Sequence, residues 1–359
     1  MKYGRTTKLL FALAATGAFG SHAATTQHSA VVAPPITGHY ERVAVHGASL
    51  DGNLDGDSAD RMVSIYLPPS YTRNPKRRYP VLYFLHGFGS DDSGYYRSSQ
   101  YFPGLPALAE QAFAHGTREM IIVTPNAYTK FKGSMYSSSV ATGDWETFVT
   151  SELVSYVDKH YRTLARPESR GLAGHSMGGY GTLRLGMKHP HVFHSLYALS
   201  PCCLAANLAG LNPSTEAFVA VEKVRTAKDI DEANLFVGAM LAQAAAWSPN
   251  PHKPPLYFDL PVESGKLMPD AVAAWAANAP LSMAHQYLPS LKTYNGIVFD
   301  AGTREAYSGI LQTVQALDKI FTDYGIKHTT EVYEGDHGDF IAERLEKKVL
   351  PFFSERLKF

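Results

Sequence analysis

An α/β fold, built on a mainly parallel central sheet with helices on both faces, is what this sequence predicts, on three observations. Residues 79–85 (YPVLYFL) and 120–125 (MIIVTP) are unbroken apolar runs, the pattern of strands covered on both sides. Helix-like segments with apolar residues on one face separate such runs from about residue 79 to residue 200, and again after residue 296. Between a strand-like run at 169–173 and a helix-like run closed by Pro190 lies Gly174-His175-Ser176-Met177-Gly178-Gly179, which fits G-x-S-x-G in the strand-turn-helix setting of a nucleophile elbow.

In chain order, residues 40–45 and 61–67 alternate apolar and polar around turn chemistry at 52–57, so they are expected as an antiparallel pair leading into the sheet. The buried strand at 79–85 ends at His86-Gly87-Phe88-Gly89. A helix around 105–115, the strand at 120–125 and a long amphipathic helix over 145–161 follow, with Phe148, Leu153, Val154 and Val157 near one face. After the elbow, residues 193–200 read as the next strand. From Cys203 to about Asn295 the alternation stops: helical segments at 236–247 and 271–277 flank a Pro-rich stretch at 249–261. That is too long for a structureless loop, and its aromatic and apolar content predicts a helical, lid-like insertion. The sheet is expected to resume at 296–300, followed by a helix over 306–324, a strand over 329–333 and a last helix over 340–356.

Composition narrows the function classes. With 33 Lys+Arg against 33 Asp+Glu there is no overall field to recruit nucleic acid or an anionic membrane, and 45% hydrophobic residues supply ample core for one large domain. Lys2, Arg5 and Lys8 precede the apolar run 9–19, and Ser21-His22-Ala23 offers a small-x-small cleavage site, so residues 1–23 are expected to be a signal peptide of an exported, periplasmic or secreted protein. The run is too short to span a bilayer, so no stable membrane insertion is expected after cleavage. Residues 24–38 read as a flexible mature N-terminus and 39–359 as the folded domain, with its insertion at about 203–295. Cys202 and Cys203 are the only cysteines. Neighbours form a strained disulfide, and no other thiol or histidine spacing makes them metal ligands, so neither a disulfide staple nor a metal site is expected.

A serine hydroxyl needs a base to take its proton and an acid to orient that base. In a strand-turn-helix serine site these follow in the order Ser, acid, His, on loops after late strands. His337, in Glu334-Gly335-Asp336-His337-Gly338-Asp339 between the last strand and the last helix, is the expected base. His175 sits beside the nucleophile and is expected to point elsewhere; His86 belongs to the earlier loop. Two carboxylates follow the 296–300 strand in Asp300-Ala301-Gly302-Thr303-Arg304-Glu305. Glu305 is the expected acid, because it stands beyond the strand end with reach toward the final loop, and Asp300 is the alternative, otherwise expected to bond the turn at Gly302. The developing oxyanion needs preorganised donors, expected from the backbone N–H groups of Met177, after the nucleophile, and Phe88, in the loop after the strand at 79–85.

With these residues placed, the chain resembles the esterase D-like, feruloyl esterase-like branch of the α/β-hydrolases over about residues 40–357. The resemblance rests on Tyr66-Leu67-Pro68-Pro69, Leu85-His86-Gly87, Trp145-Glu146-Thr147-Phe148, Gly174-His175-Ser176-Met177-Gly178-Gly179-Tyr180-Gly181 and the late histidine. It implies the α/β-hydrolase fold and a Ser-acid-His hydrolase of carboxylic esters, acting through an acyl-enzyme on a small or polymer-attached ester, with no cofactor and no metal. The chain departs from the family where Gly302-Thr303-Arg304-Glu305 stands in place of the usual Gly-Thr-x-Asp. An acyltransferase shares every one of these residues, and an inactive binding protein would keep the fold alone. Acyl and alcohol specificity and oligomeric state are not legible in the residues.

Overall fold

The computed structural model describes residues 35–99, 102–206, 216–305 and 309–359. The expected signal peptide, and residues 24–34 of the expected flexible terminus, lie outside these. Eight strands form the central sheet: β1 (His39–His46), β2 (Asp60–Leu67), β3 (Val81–Leu85), β4 (Ile121–Pro125), β5 (Arg170–His175), β6 (Ser195–Leu199), β7 (Gly296–Gly302) and β8 (Thr329–Tyr333), in the spatial order β1-β2-β4-β3-β5-β6-β7-β8. β1 pairs antiparallel with β2, and β2 with β4; every pairing from β4 onward is parallel. The sheet is therefore mainly parallel, entered through the antiparallel pair that the alternation at 40–45 and 61–67 predicts.

β3 shows why the apolar runs become central strands. Val81, Tyr83 and Leu85 point into one core and Leu82 and Phe84 into the other, so successive residues bury opposite faces and no position faces water. α2 (residues 145–160) and α3 (Met177–Lys188) cover the first face. α1 (Leu105–Ala114) and the C-terminal helical residues 341–356 cover the second. Residues 145–160 and 341–356 each hold one π turn, Phe148–Glu152 and Leu345–Val349, inside otherwise α-helical stretches. The helix expected over 306–324 is seen as Ile310–Asp323, its first expected residues falling outside those described.

Between β6 and β7 the described residues are mainly helical, as the composition predicts. α4 (Glu216–Val221), α5 (Ala227–Glu232), α6 (Leu235–Trp247) and α7 (Pro269–Ala277) are its longest elements. It shares the first core rather than forming a second one: Leu241, Ala245 and Trp247 of α6 are buried in the same cluster as Tyr180 and Leu183 of α3. The Trp247 ring packs 5.4 Å from that of Tyr180 and 5.4 Å from that of Trp275 on α7. Among the described residues no helix is long and apolar enough to cross a membrane.

Candidate active site

β3, β5, β6, β7 and β8 run parallel, so their C-terminal ends open on one edge of the sheet, and Phe88, Ser176, Glu305 and His337 lie just beyond those ends. In doubly covered sheets of this kind ligands bind at that edge.

Ser176 follows β5 with φ 57° and ψ −115°, a left-handed conformation that a side-chain-bearing residue adopts only when its surroundings impose it, at a cost of about 1 to 3 kcal/mol. Its N–H donates to Leu199 O at 2.9 Å and its carbonyl accepts from Tyr180 N–H at 2.9 Å and Cys202 N–H at 3.3 Å. The turn is tight enough to exclude any β-carbon on either side. One at Gly174 would stand 2.4 Å from the Gly178 carbonyl carbon, and one at Gly178 would stand 2.0 Å from Leu85 O. Glycine at both ends of the elbow is thus a steric requirement, and Gly179, where a β-carbon would come within 3.0 Å of Leu199 O, allows α3 to sit against β6.

The loop after β3 lies against this turn: a β-carbon on Gly87 would be 3.4 Å from Ser176 Cβ. His86 holds the loop's shape. Its Nε2 accepts from Ala127 N–H at 2.9 Å, so Nδ1 carries the proton and donates to Gly87 O at 2.8 Å; burial pushes the ring's pKa down to about 4 and keeps it neutral. The Phe88 and Met177 side chains both border Gly133. Among the described residues neither the Phe88 nor the Met177 N–H is hydrogen-bonded, although Met177 opens a helix and Phe88 sits in a loop whose next residue, Gly89, donates to Lys132 O at 2.9 Å.

On the far side, β7 runs through Gly302, two residues longer than expected, and its exit loop is pressed onto the His337 loop. A β-carbon on Gly302 would lie 2.3 Å from Gly335 O, and Arg304 N–H donates to that oxygen at 2.8 Å. This contact brings Glu305 Oε2 to 2.7 Å from His337 Nδ1, while Glu305 Oε1 accepts from Gly302 N–H at 3.0 Å. Their side chains are 4% and 13% exposed, so the pair is largely out of bulk water. Burial works to raise the Glu305 pKa, but hydrogen bonds from His337 and the Gly302 N–H outweigh it and hold the carboxyl below its ordinary value.

Asp300 does not reach His337, nor does it bond the turn at Gly302 as expected. Its carboxylate is buried, accepts from Ser200 N–H at 2.8 Å and is gripped by the Arg344 guanidinium from the last helix. Arg344 also donates to Tyr333 OH at 2.7 Å, and that hydroxyl donates to Asp336 O at 2.9 Å. Asp336 and Asp339 brace the histidine loop through local bonds to its N–H groups. His175 turns toward the His337 loop: the two rings lie 4.7 Å apart, and His175 Nε2 lies 3.0 Å from His337 O. Cys202 and Cys203 are free thiols beside the elbow, and the bond from Cys202, with burial, pushes the Cys203 pKa up. Among the described residues no three His, Cys, Asp or Glu side chains gather as a metal-ligating cluster.

Among the described residues, the insertion touches this edge through several contacts. Gly238 of α6 faces the Phe88 ring, where a β-carbon would be 3.4 Å from Phe88 Cζ, and Lys132 Nζ donates to Ile230 O and Asp231 O of α5, each at 3.1 Å.

A mainly parallel sheet covered on both faces, with a serine on a strained turn after its middle strand and an acid-histidine pair after its last two, defines the α/β-hydrolase class. Residues 58–341 match the family model described as "Putative esterase", and the chain belongs to that family. It is 32% identical over 127 residues to an esterase of Mycobacterium tuberculosis, covering 35% of this chain and 26% of that protein. It is 29% identical over 161 residues to an endo-1,4-beta-xylanase/feruloyl esterase of Xylanibacter ruminicola, covering 43% and 22%. The matched regions thus span about a quarter of those relatives' lengths. A solved ferulic acid esterase superposes with a TM-score of 0.62 at 19% identity, over 90% of this chain and all of that one, which is a likeness of fold.

Proposed function

We propose that the chain is an exported serine hydrolase of carboxylic esters. One observation carries the reading: the Glu305 carboxylate 2.7 Å from His337 Nδ1, on a loop whose histidine packs against the residue preceding the strained Ser176. In the proposed reaction Ser176 Oγ attacks the acyl carbon and its proton passes to His337 Nε2. Glu305 keeps Nδ1 protonated and stabilises the imidazolium as it forms. The N–H groups of Phe88 and Met177 receive the oxyanion, a contribution of about 3 to 4 kcal/mol for each donor in comparable enzymes. Collapse of the tetrahedral intermediate expels the alcohol, which takes the proton from His337. Water, activated by the same histidine, then releases the acid and frees Ser176.

Membership of an esterase family supports the ester bond as target, and the feruloyl esterase among the relatives makes an aryl acyl ester on a polysaccharide a substrate to try first. Export is proposed from the basic, apolar and small-x-small sequence of residues 1–23. The test is labelling by a fluorophosphonate probe alongside turnover of a panel of acetyl and feruloyl esters. Wild type should be labelled at Ser176 and hydrolyse at least one ester; Ser176→Ala should remain folded, escape labelling and lose about three or more orders of magnitude in kcat. Absence of both labelling and turnover in wild type refutes the proposal. A competing alcohol added to the assay shows from the products whether water or the alcohol accepts the acyl group.

A further inference from the structure

The geometry points to a second histidine that works through the first: we infer that His175, backed by Tyr95, is a positioning residue tying the His337 loop to the nucleophile's turn. The inference rests on the site reading proposed above. His175 Nε2 lies 3.0 Å from His337 O, and since a carbonyl oxygen only accepts, the proton is on Nε2. In a neutral ring Nδ1 is then an acceptor, and the Tyr95 hydroxyl donates to it at 2.8 Å. Burial, with His337 next to it, pushes the ring's pKa down to about 3, so this tautomer persists across the working pH range. Tyr95 is held in turn by Phe84 of β3 at 4.9 Å and Phe102 at 6.1 Å between ring centres.

The chain of contacts links three parts that are far apart in sequence: the segment continuing the Gly87-Phe88 loop, the elbow, and the base loop. His175 is covalently next to Ser176, so its bond to His337 O fixes the base with reference to the nucleophile itself. Glu305 sets which way the His337 ring turns; His175 sets where its backbone stands. Both matter, because general-base transfer needs hydrogen-bond reach between the ring and the serine hydroxyl. The low pKa of His175 serves the same end. A second imidazolium 4.7 Å from the ring that must accept the proton would oppose that step.

Three variants test this in the full-length protein: His175→Phe, which keeps a ring but no nitrogen; His175→Gln, which keeps an N–H donor; and Tyr95→Phe, which removes one oxygen. His175→Phe should lower kcat about a hundredfold, the scale of a 1 Å misplacement, with KM within about twofold. His175→Gln should recover to within about tenfold of wild type, and Tyr95→Phe should lose about threefold to tenfold in kcat. The downfield proton NMR resonance of His337 Nδ1–H should shift or broaden in His175→Phe. Wild-type kcat in both His175→Phe and Tyr95→Phe, with Ser176 still labelled by the fluorophosphonate probe, overturns the inference and leaves the hydrolase reading standing. If His175→Phe does not fold, Tyr95→Phe decides: unchanged kcat rejects the inference. Wild type that neither reacts with the probe nor turns over refutes the hydrolase reading, and the inference with it.

Discussion

Glu305 Oε2 stands 2.7 Å from His337 Nδ1, and the contact exists because Gly302 lets the two loops meet, its missing side chain leaving room for Gly335 O. Glu305→Gln should therefore cut kcat by about three to four orders of magnitude, by favouring the wrong histidine tautomer, while the melting temperature stays near wild type. Glu305→Asp, one methylene shorter on the same anchor, should retain part of the rate. Asp300→Asn should do the reverse: it uncouples the buried Arg344 and should cost about 3 to 5 kcal/mol of stability. Steady-state kinetics beside thermal melts separate the two outcomes.

Gly238 meets the Phe88 ring across the gap between the insertion and the proposed oxyanion loop. Gly238→Ala should be neutral to stabilising, since a β-carbon just fits and alanine is the better helix former by about 1 kcal/mol. Gly238→Leu must push the Phe88 ring aside. The ratio of kcat/KM for a bulky aryl ester over an acetate should then change by about tenfold. An unchanged ratio in folded Gly238→Leu would mean that the insertion does not shape selectivity.

Glu146 is a buried carboxylate that accepts from Arg184 at 2.6 Å, Lys188 at 2.6 Å and His189 at 2.8 Å. Burial raises its pKa, but these three partners outweigh it and hold the carboxyl far below its ordinary 4.5. A depressed pKa in the native state adds stability that is complete above the unfolded value, begins to fall below about pH 4.5 and is gone only below the much lower native value. Glu146→Gln should thus lose about 3 to 5 kcal/mol at neutral pH, and its gap in melting temperature to wild type should narrow steadily as pH falls from about 5 to about 3. A constant gap across that range would contradict the assignment.

Asp55 behaves in the opposite sense. Its side chain is fully buried, neither carboxylate oxygen has a hydrogen-bond partner among the described residues, and Lys130 Nζ comes no closer than 3.9 Å. Burial raises its pKa from 3.8 to about 7, with Lys130 opposing. The native state then holds the proton more tightly than the unfolded chain, so this group's contribution falls as pH rises from about 4 to about 7 and is flat above. Asp55→Asn should raise the melting temperature more at pH 8 than at pH 5, by about 1 to 3 kcal/mol of stability at the higher pH.

The residues that could be read from the sequence are those whose signal is local. Gly174, Ser176 and Gly178 announce the elbow because the sterics that require them act within five residues. Tyr83 and its neighbours announce a central strand because two-sided burial needs only an unbroken apolar run. His337 and Glu305 followed from chain order and from distance beyond a strand end. What escaped depends on partners brought from afar. The partner of His175 is one of these, since nothing nearby in sequence shows that residue 337 returns to face it. Asp300 has a local alternative at the Gly302 turn, yet Arg344, 44 residues later, takes it. Asp55 lies in turn chemistry that ordinarily faces water, yet the turn bonds to Val140 O and Ala141 O, far along the chain, and its side chain is buried.

The strand order has a consequence for how such a molecule fails. β8 is the rim of the sheet, paired on one side only, with Thr329 and Val332 open to solvent, and the His337 loop hangs from its end. The elbow instead rests on β5, with a neighbour on each side and every residue buried. Opening of a rim strand takes less free energy than global unfolding, so rising denaturant should detach the proposed base from the proposed nucleophile while the interior of the sheet persists. Lost turnover would then report peeling at one margin, ahead of the collapse seen by circular dichroism, and dilution would restore it without refolding the whole chain.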